Sequence, residues 1–104
     1  MKQVIAIVKP FVAEGVLKAI ADLAVEDVTI REAKGYGRQK NYLDLYRNNE
    51  FSLMFVAKVE ISMLVEDELL ETVIGRITEA SRTGRLGDGK ILVLPLACRP
   101  VPLD

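Results

Sequence analysis

Apolar residues recur along this chain with two different periods, and the changes of period outline its elements. Residues 3–8, Gln3-Val4-Ile5-Ala6-Ile7-Val8, are mostly apolar and rich in β-branched side chains, and Pro10 ends the run; they predict a strand. From Val12 onward, Val16, Leu17, Ile20, Leu23 and Ala24 fall at helical spacing and predict a helix over 14–24. Val28 and Ile30 alternate with polar neighbours, which predicts a second strand over 28–33. Periodicity is then lost from Gly35 to about Ser52, a stretch that carries Arg38, Lys40, Asp44, Arg47 and Glu50. A loop of that length inside a compact domain is usually functional or disordered. Residues 53–65 predict a long third strand. Glu66-Asp67-Glu68 then opens a second helix, with acids at the positive end of its macrodipole. Leu69, Leu70, Val73, Ile74 and Ile77 form the helix's apolar face, and Arg82 lies near its end. Residues 90–96 predict a last strand, and Pro95, Pro100 and Pro102 break any regular continuation of it.

The order β-α-β, long loop, β-α-β predicts a ferredoxin-like βαββαβ sandwich of the α+β class, with four antiparallel strands and both helices on one face of the sheet. Such a fold leaves the other face uncovered. On the third strand, Leu53, Phe55, Ala57, Val59, Ile61, Met63 and Val65 share one face, while the other is mixed: Met54, Val56, Lys58, Glu60, Ser62 and Leu64. The first strand is also apolar on both sides, with Ile5 and Ile7 opposing Val4, Ala6 and Val8. A sheet with one solvated face alternates more cleanly than this. The second face is therefore expected to be buried between subunits, in an oligomer.

Composition narrows the function classes. A chain of 104 residues is one domain, and 14 basic against 15 acidic residues lack the basic excess of a general nucleic-acid binder. The single cysteine, Cys98, excludes an internal disulfide and suits a reducing compartment. With no membrane-length apolar run and no leader-like start, a cytoplasmic location is expected. Histidine is absent, which removes Ser-His and Cys-His nucleophilic pairs and the commonest metal ligand. One cysteine and no histidine cannot build a structural zinc site within one chain. A non-enzymatic role is the expectation.

The candidate chemistry lies in two glycine-and-cation clusters. Thr83-Gly84-Arg85-Leu86-Gly87-Asp88-Gly89-Lys90 joins the second helix to the last strand. Successive backbone N–H groups in such a loop can cradle phosphate oxygens. Lys90 adds a point charge, and Asp88 offers a carboxylate to a hydroxyl, an amide or another loop. The spacing is not that of a Walker A loop, and a glycine-rich loop is also an ordinary turn. The second cluster, Gly35-Tyr36-Gly37-Arg38-Gln39-Lys40, at the end of another strand, strengthens the ligand reading.

These motifs, in this order, resemble the PII signal-transduction proteins. The resemblance runs from Lys2 to about Pro95. It is carried by Ile7-Val8-Lys9-Pro10-Phe11, Lys34-Gly35-Tyr36-Gly37-Arg38-Gln39-Lys40, Leu45-Tyr46-Arg47, Lys58-Val59 and the run from Arg82 to Ile91. It implies a homotrimer of single-domain subunits, nucleotide in clefts between them, and a protruding T-loop at about 37–52 that docks on partners. It also implies a sensor of ATP/ADP and of 2-oxoglutarate that regulates transporters, enzymes or transcription factors in nitrogen and carbon metabolism, without membrane insertion or nucleic-acid binding. By the same resemblance, Thr29, Gly35, Gly37, Arg38 and Leu64 line the nucleoside side of the cleft. Gly87, Asp88, Gly89 and Lys90 hold phosphates, with Arg82 as a further ligand. Gln39 corresponds to a residue that helps ligate Mg²⁺ beside 2-oxoglutarate, and Lys58 to one that pairs with a 2-oxoglutarate carboxylate; on residues alone, Lys58 also reads as a lysine snorkelling from a strand face. Arg47 and Glu50 are the expected partner contacts.

Three departures stand out. Phe51 occupies a position where many bacterial PII proteins carry a modifiable tyrosine, so nucleotidylation there is impossible. After the last strand, the C-terminal segment 97–104 reads Ala97-Cys98-Arg99-Pro100-Val101-Pro102-Leu103-Asp104, with Val101 and Leu103 where the family places two phosphate-clamping arginines. Asp27 also stands where glycine is common. The alternatives are therefore a divergent PII-like sensor favouring ADP or AMP with a small anion such as bicarbonate, as in carboxysome-associated relatives, or a weak ATPase.

Overall fold

A computed structural model describes residues 1–35 and 56–104. The expected T-loop and the first three positions of the expected third strand lie outside the described residues. The chain order is β1 (Lys2–Val8), α1 (Ala13–Ile20), β2 (Glu26–Gly35), β3 (Val56–Val65), α2 (Leu70–Ser81) and β4 (Gly89–Pro95). The four strands form one antiparallel sheet in the order β2-β3-β1-β4, which is the ferredoxin-like arrangement expected from the sequence.

Register explains which face became the core. Val4 lies opposite Met63 and Val93, and Ala6 opposite Ile61 and Ile91. Val4, Ala6, Val8, Ile61, Met63 and Val65 pack with Val16 and Ile20 of α1 and Val73 and Ile77 of α2 into a single buried cluster. The uniformly apolar face of β3 is thus the helix-covered one. The other face brings Ile5, Ile7, Leu64, Leu92 and Leu94 together around a hydrogen bond from Gln3 Nε2 to Ser62 Oγ (3.1 Å). Leu92 and Leu94 remain over 40% exposed. Among the described residues no helix lies over that apolar area.

The element boundaries differ from the periodicity in three instructive ways. Both helices are entered through a 3₁₀ turn, Pro10–Val12 and Asp67–Leu69, with Val12 N donating to Lys9 O (3.2 Å) and Leu69 N to Glu66 O (2.9 Å). Pro10 suits the first of these positions because it has no N–H to leave unpaired. α1 stops at Ile20, four residues short of expectation. Leu23 still packs on the core, but from a tight turn in which its N–H reaches Ile20 O (3.0 Å), so helical spacing alone overran the helix. Arg76 of α2 closes that end by donating from Nη1 to Ala19 O and to Asp22 Oδ1, both at 2.9 Å. Finally, β2 begins at Glu26 rather than Val28, through an irregularity between Glu26 and Thr29 where Asp27 adopts φ = +52°.

Candidate nucleotide and anion site

The ladder register gathers the candidate cations at one end of the sheet. Ala33 of β2 faces Lys58 of β3, Val8 of β1 faces both Val59 and Gly89, and Ile7 faces Lys90 of β4. Lys9 follows Val8 directly. Three lysines, one carboxylate and the glycine loop therefore meet where β1 ends and β4 begins.

Two close approaches set the local shape. Gly89 has φ = +124°, and a Cβ there would stand 2.0 Å from Ile7 O, so only glycine lets β4 start against β1 at this point. At Gly35, a Cβ would lie 3.3 Å from Cγ and Cε of Lys58, whose stem passes over the glycine.

Lys58 is buried, at 7% exposure, and donates from Nζ to Gly87 O at 2.6 Å. Burial pushes its ammonium below the usual lysine range, the nearby charge of Lys9 pushes the same way, and Asp88 opposes both. A lysine held like this is not a snorkelling surface residue. It is a desolvated cation whose hydrogen-bond acceptor among the described residues is a neutral carbonyl.

Asp88 is turned into its own loop. Its carboxylate accepts from Thr83 N (2.8 Å), Gly84 N (3.0 Å) and Thr83 Oγ1, and from Lys9 Nζ (3.1 Å). The Thr83 hydroxyl and amide, then Lys9 and Gly84, hold its pKa well below the ordinary carboxylate range. Thr83 Oγ1 also accepts from Arg85 N (3.3 Å). Asp88 thereby closes the loop into a ring of hydrogen bonds, while Arg82 and Lys90 stay exposed beside a cavity of about 240 Å³ that Thr78, Ser81, Gly89 and Val8 also line.

The other expected site residues are not at this end. Thr29 faces Ser62, and Glu26 faces Leu64. Leu64 is six residues from Lys58 along β3, about 20 Å at the rise of a strand. Gly37, Arg38, Gln39, Arg47 and Glu50 lie outside the described residues. Among the described residues no cluster of acidic or thiol side chains could hold a metal ion. In the C-terminal segment, Arg99 is engaged by Glu66, and Val101 and Leu103 are exposed. Lys9 and Thr83 were not singled out from sequence as functional. Their available signals were a lysine ending a strand before proline and a hydroxyl five residues ahead of a glycine-flanked aspartate.

Among the described residues no helix is long and apolar enough to cross a membrane. Comparison with known proteins gives the wider setting. The family model described as nitrogen regulatory protein P-II matches residues 1–98. The nitrogen regulatory protein P-II of Azospirillum brasilense is 45% identical over 96 residues, 92% of this chain and 86% of that protein. That of Rhodospirillum rubrum is 45% identical over 93 residues, 89% of this chain and 83% of that protein. Nitrogen regulatory protein P-II 1 of Escherichia coli is 40% identical over 97 residues, 93% of this chain and 87% of that protein. A match over nearly the whole chain, joined to the sheet order that the sequence led us to expect, places the chain in the P-II family of nitrogen regulatory, signal-transduction proteins.

Proposed function

We propose that this chain is a non-enzymatic, cytoplasmic sensor that assembles as a trimer of single-domain subunits. It binds adenine nucleotide between subunits, takes a dicarboxylate such as 2-oxoglutarate at Lys58, and regulates a partner protein, a transporter, enzyme or transcription factor, through residues 37–52. The observation that carries this reading is the buried ammonium of Lys58 beside the glycine loop, with Lys9 and Lys90 close by. A desolvated cation facing a carbonyl is a site that an anion improves. The trimer accounts for the two ends of the site. Thr29 and Leu64 from one subunit complete a cleft whose phosphate loop, Gly87, Asp88, Gly89 and Lys90 with Arg82 beside it, belongs to the next, and Gly35 lines the nucleoside side. Gly37, Arg38 and Gln39 enter from the base of the loop, where Gln39 supplies an amide oxygen for Mg²⁺ held between nucleotide and effector. Arg47 and Glu50 then lie on the partner-facing stretch.

A second reading is favoured by the C-terminal segment. Arg99, its single cation, is engaged by Glu66, and Val101 and Leu103 offer no fork for a third phosphate. On that reading the nucleotide is ADP or AMP and the second ligand a small anion such as bicarbonate. Isothermal titration of the purified protein with ATP, ADP and AMP, each with and without Mg²⁺ and with 2-oxoglutarate or bicarbonate, separates the two. Synergy of Mg-ATP with 2-oxoglutarate supports the first reading. Binding of ADP as tight as ATP, modulated by bicarbonate, supports the second. No binding of any nucleotide overturns both, and nucleotide turnover at a rate of a working enzyme overturns the non-enzymatic role.

A further inference from the structure

We propose that Lys9 is a positioning residue of the phosphate loop, which it fixes to the sheet through Asp88; the inference rests on the nucleotide-binding reading above. The loop from Thr83 to Gly89 has little intrinsic reason to keep one shape. Gly84 and Gly87 both sit at φ = +82° and Gly89 at +124°, a sequence of left-handed backbone that glycine tolerates but does not enforce. Asp88 supplies the closure, through the N–H groups of Thr83 and Gly84 and the Thr83 hydroxyl. Those bonds are all internal: they shape the loop without saying where it stands.

Among the described residues, two side chains tie the loop to the sheet. Lys58 donates to Gly87 O, and Lys9 donates to Asp88 Oδ1 at 3.1 Å. The two ties differ in kind. Lys58 has two further N–H donors for an arriving anion, which then competes with the Gly87 carbonyl for the same ammonium. Lys9 holds a carboxylate that already has three other donors, so its tie persists when Lys58 is engaged. The Lys9 and Asp88 side chains are 20% and 22% exposed, which shields the pair from much of the solvent screening that weakens surface ion pairs. Lys9 also enters from the residue directly after β1, whose position is set by pairing with β3 and β4 on both sides. The result is a rigid post under a loop that must present its backbone N–H groups and Lys90 to phosphate oxygens.

The test is a set of ADP titrations on the full chain, comparing the wild type with Lys9→Met, Lys9→Arg, Asp88→Asn and the double variant Lys9→Met/Asp88→Asn. Lys9→Met is expected to weaken ADP binding about five- to tenfold, the scale of one ordinary hydrogen bond, because its effect on the ligand is indirect. Lys9→Arg restores most of the loss, and the double variant binds no more weakly than Asp88→Asn alone, because Lys9 acts through Asp88. Hydrogen exchange of the Thr83 and Gly84 amides in the nucleotide-free protein should quicken in Lys9→Met while the amides of β1 and β3 keep their protection. That pattern separates lost positioning from a weakened fold. Wild-type affinity in Lys9→Met overturns the inference, and so does an additive double variant, which would mean that Lys9 touches the ligand directly. If the wild type binds neither ADP nor ATP, the functional reading falls and this inference with it.

Discussion

At the scale of single residues, folding displaces the pKa of Asp88 and Lys58 at the candidate site and of Asp67 beside Lys2 at the other end of the sheet. Asp88 and Asp67 both have their pKa lowered by donors, Thr83 first for Asp88 and Lys2 first for Asp67. A carboxylate depressed in the folded state binds fewer protons than its unfolded counterpart between the two pKa values. Its stabilisation is therefore complete above the unfolded value near pH 4 and is lost as pH falls below that. Thr83→Val removes the leading donor of Asp88. The acid limb of the stability profile, read as urea midpoints from pH 5 downward, should be shallower in that variant; an unchanged limb would mean that Asp88 is not held in this way. Lys58 has the opposite sign. Its folded pKa is lowered, so its charge opposes folding at neutral pH, and the penalty fades as pH rises through the folded value. Lys58→Met keeps the stem and drops the charge. It is expected to melt no lower than the wild type and to lose any response to 2-oxoglutarate or bicarbonate. A variant that melts well below the wild type would instead make Lys58 a structural residue. Asp27, at φ = +52°, makes a separate prediction. Asp27→Val should cost about 1–2 kcal/mol in urea titration, because a β-branched residue resists left-handed backbone, while Asp27→Gly is tolerated.

At the scale of elements, the joints matter more than the element interiors. Gly89 is where β4 meets β1, and Gly89→Ala would place a methyl group against the Ile7 carbonyl at 2.0 Å. The start of β4 would have to move, with an expected loss of about 2 kcal/mol or more in urea titration. Arg76 joins the helices by capping α1 at Ala19 O. Arg76→Met should cost about 1 kcal/mol, chiefly for that carbonyl, since the exposed Asp22 contact adds little. The elements themselves were legible in the sequence. The apolar odd positions of β3 and the helical spacing of Val73 and Ile77 led to the observed core, whereas β1, apolar on both sides, did not show by itself that Val4, Ala6 and Val8 face the helices. The misjudged helix ends have a common cause. Leu23 packs on the core from a turn, and Val12 and Leu69 pack on it from the ends of 3₁₀ turns, so apolar positions followed burial beyond the helices that they were used to delimit. At the site, glycine spacing marked the loop and charge marked Lys90, whereas Lys58 was marked by the family resemblance and read on residues alone as a snorkelling lysine. That Asp88 offers its carboxylate to a hydroxyl and an amide was legible; that it closes its own loop was not. The closure depends on Thr83, Gly84 and Lys9 converging on one carboxylate, and Lys9 lies 79 positions away in the chain.

At the scale of the whole molecule, the fold leaves two things incomplete. Among the described residues no helix covers the face bearing Ile5, Ile7, Leu92 and Leu94, and Thr29 and Leu64 stand at the far end of the sheet from the glycine loop. One arrangement answers both: a closed ring in which the apolar faces turn inward and each loop meets the far end of the next subunit. Light scattering should then give a mass near three chains, and a stable monomer at micromolar concentration would contradict the ring. A stricter test uses complementation. Lys90→Ala damages only the loop end of a cleft, and Thr29→Trp blocks only the far end. A homotrimer of either variant has every cleft damaged. When the two variants are unfolded together in equal amounts and refolded, each cleft draws its loop from one subunit and its far end from another. With random assembly, about a quarter of the clefts should combine an intact loop with an intact far end, and about a quarter should carry both lesions. Titration with ADP should therefore recover a tight class of sites at about one quarter of the chain concentration, with the affinity of the wild type. If both ends belonged to one subunit, mixing would restore nothing, and the absence of a tight class would rule out a cleft shared between neighbours.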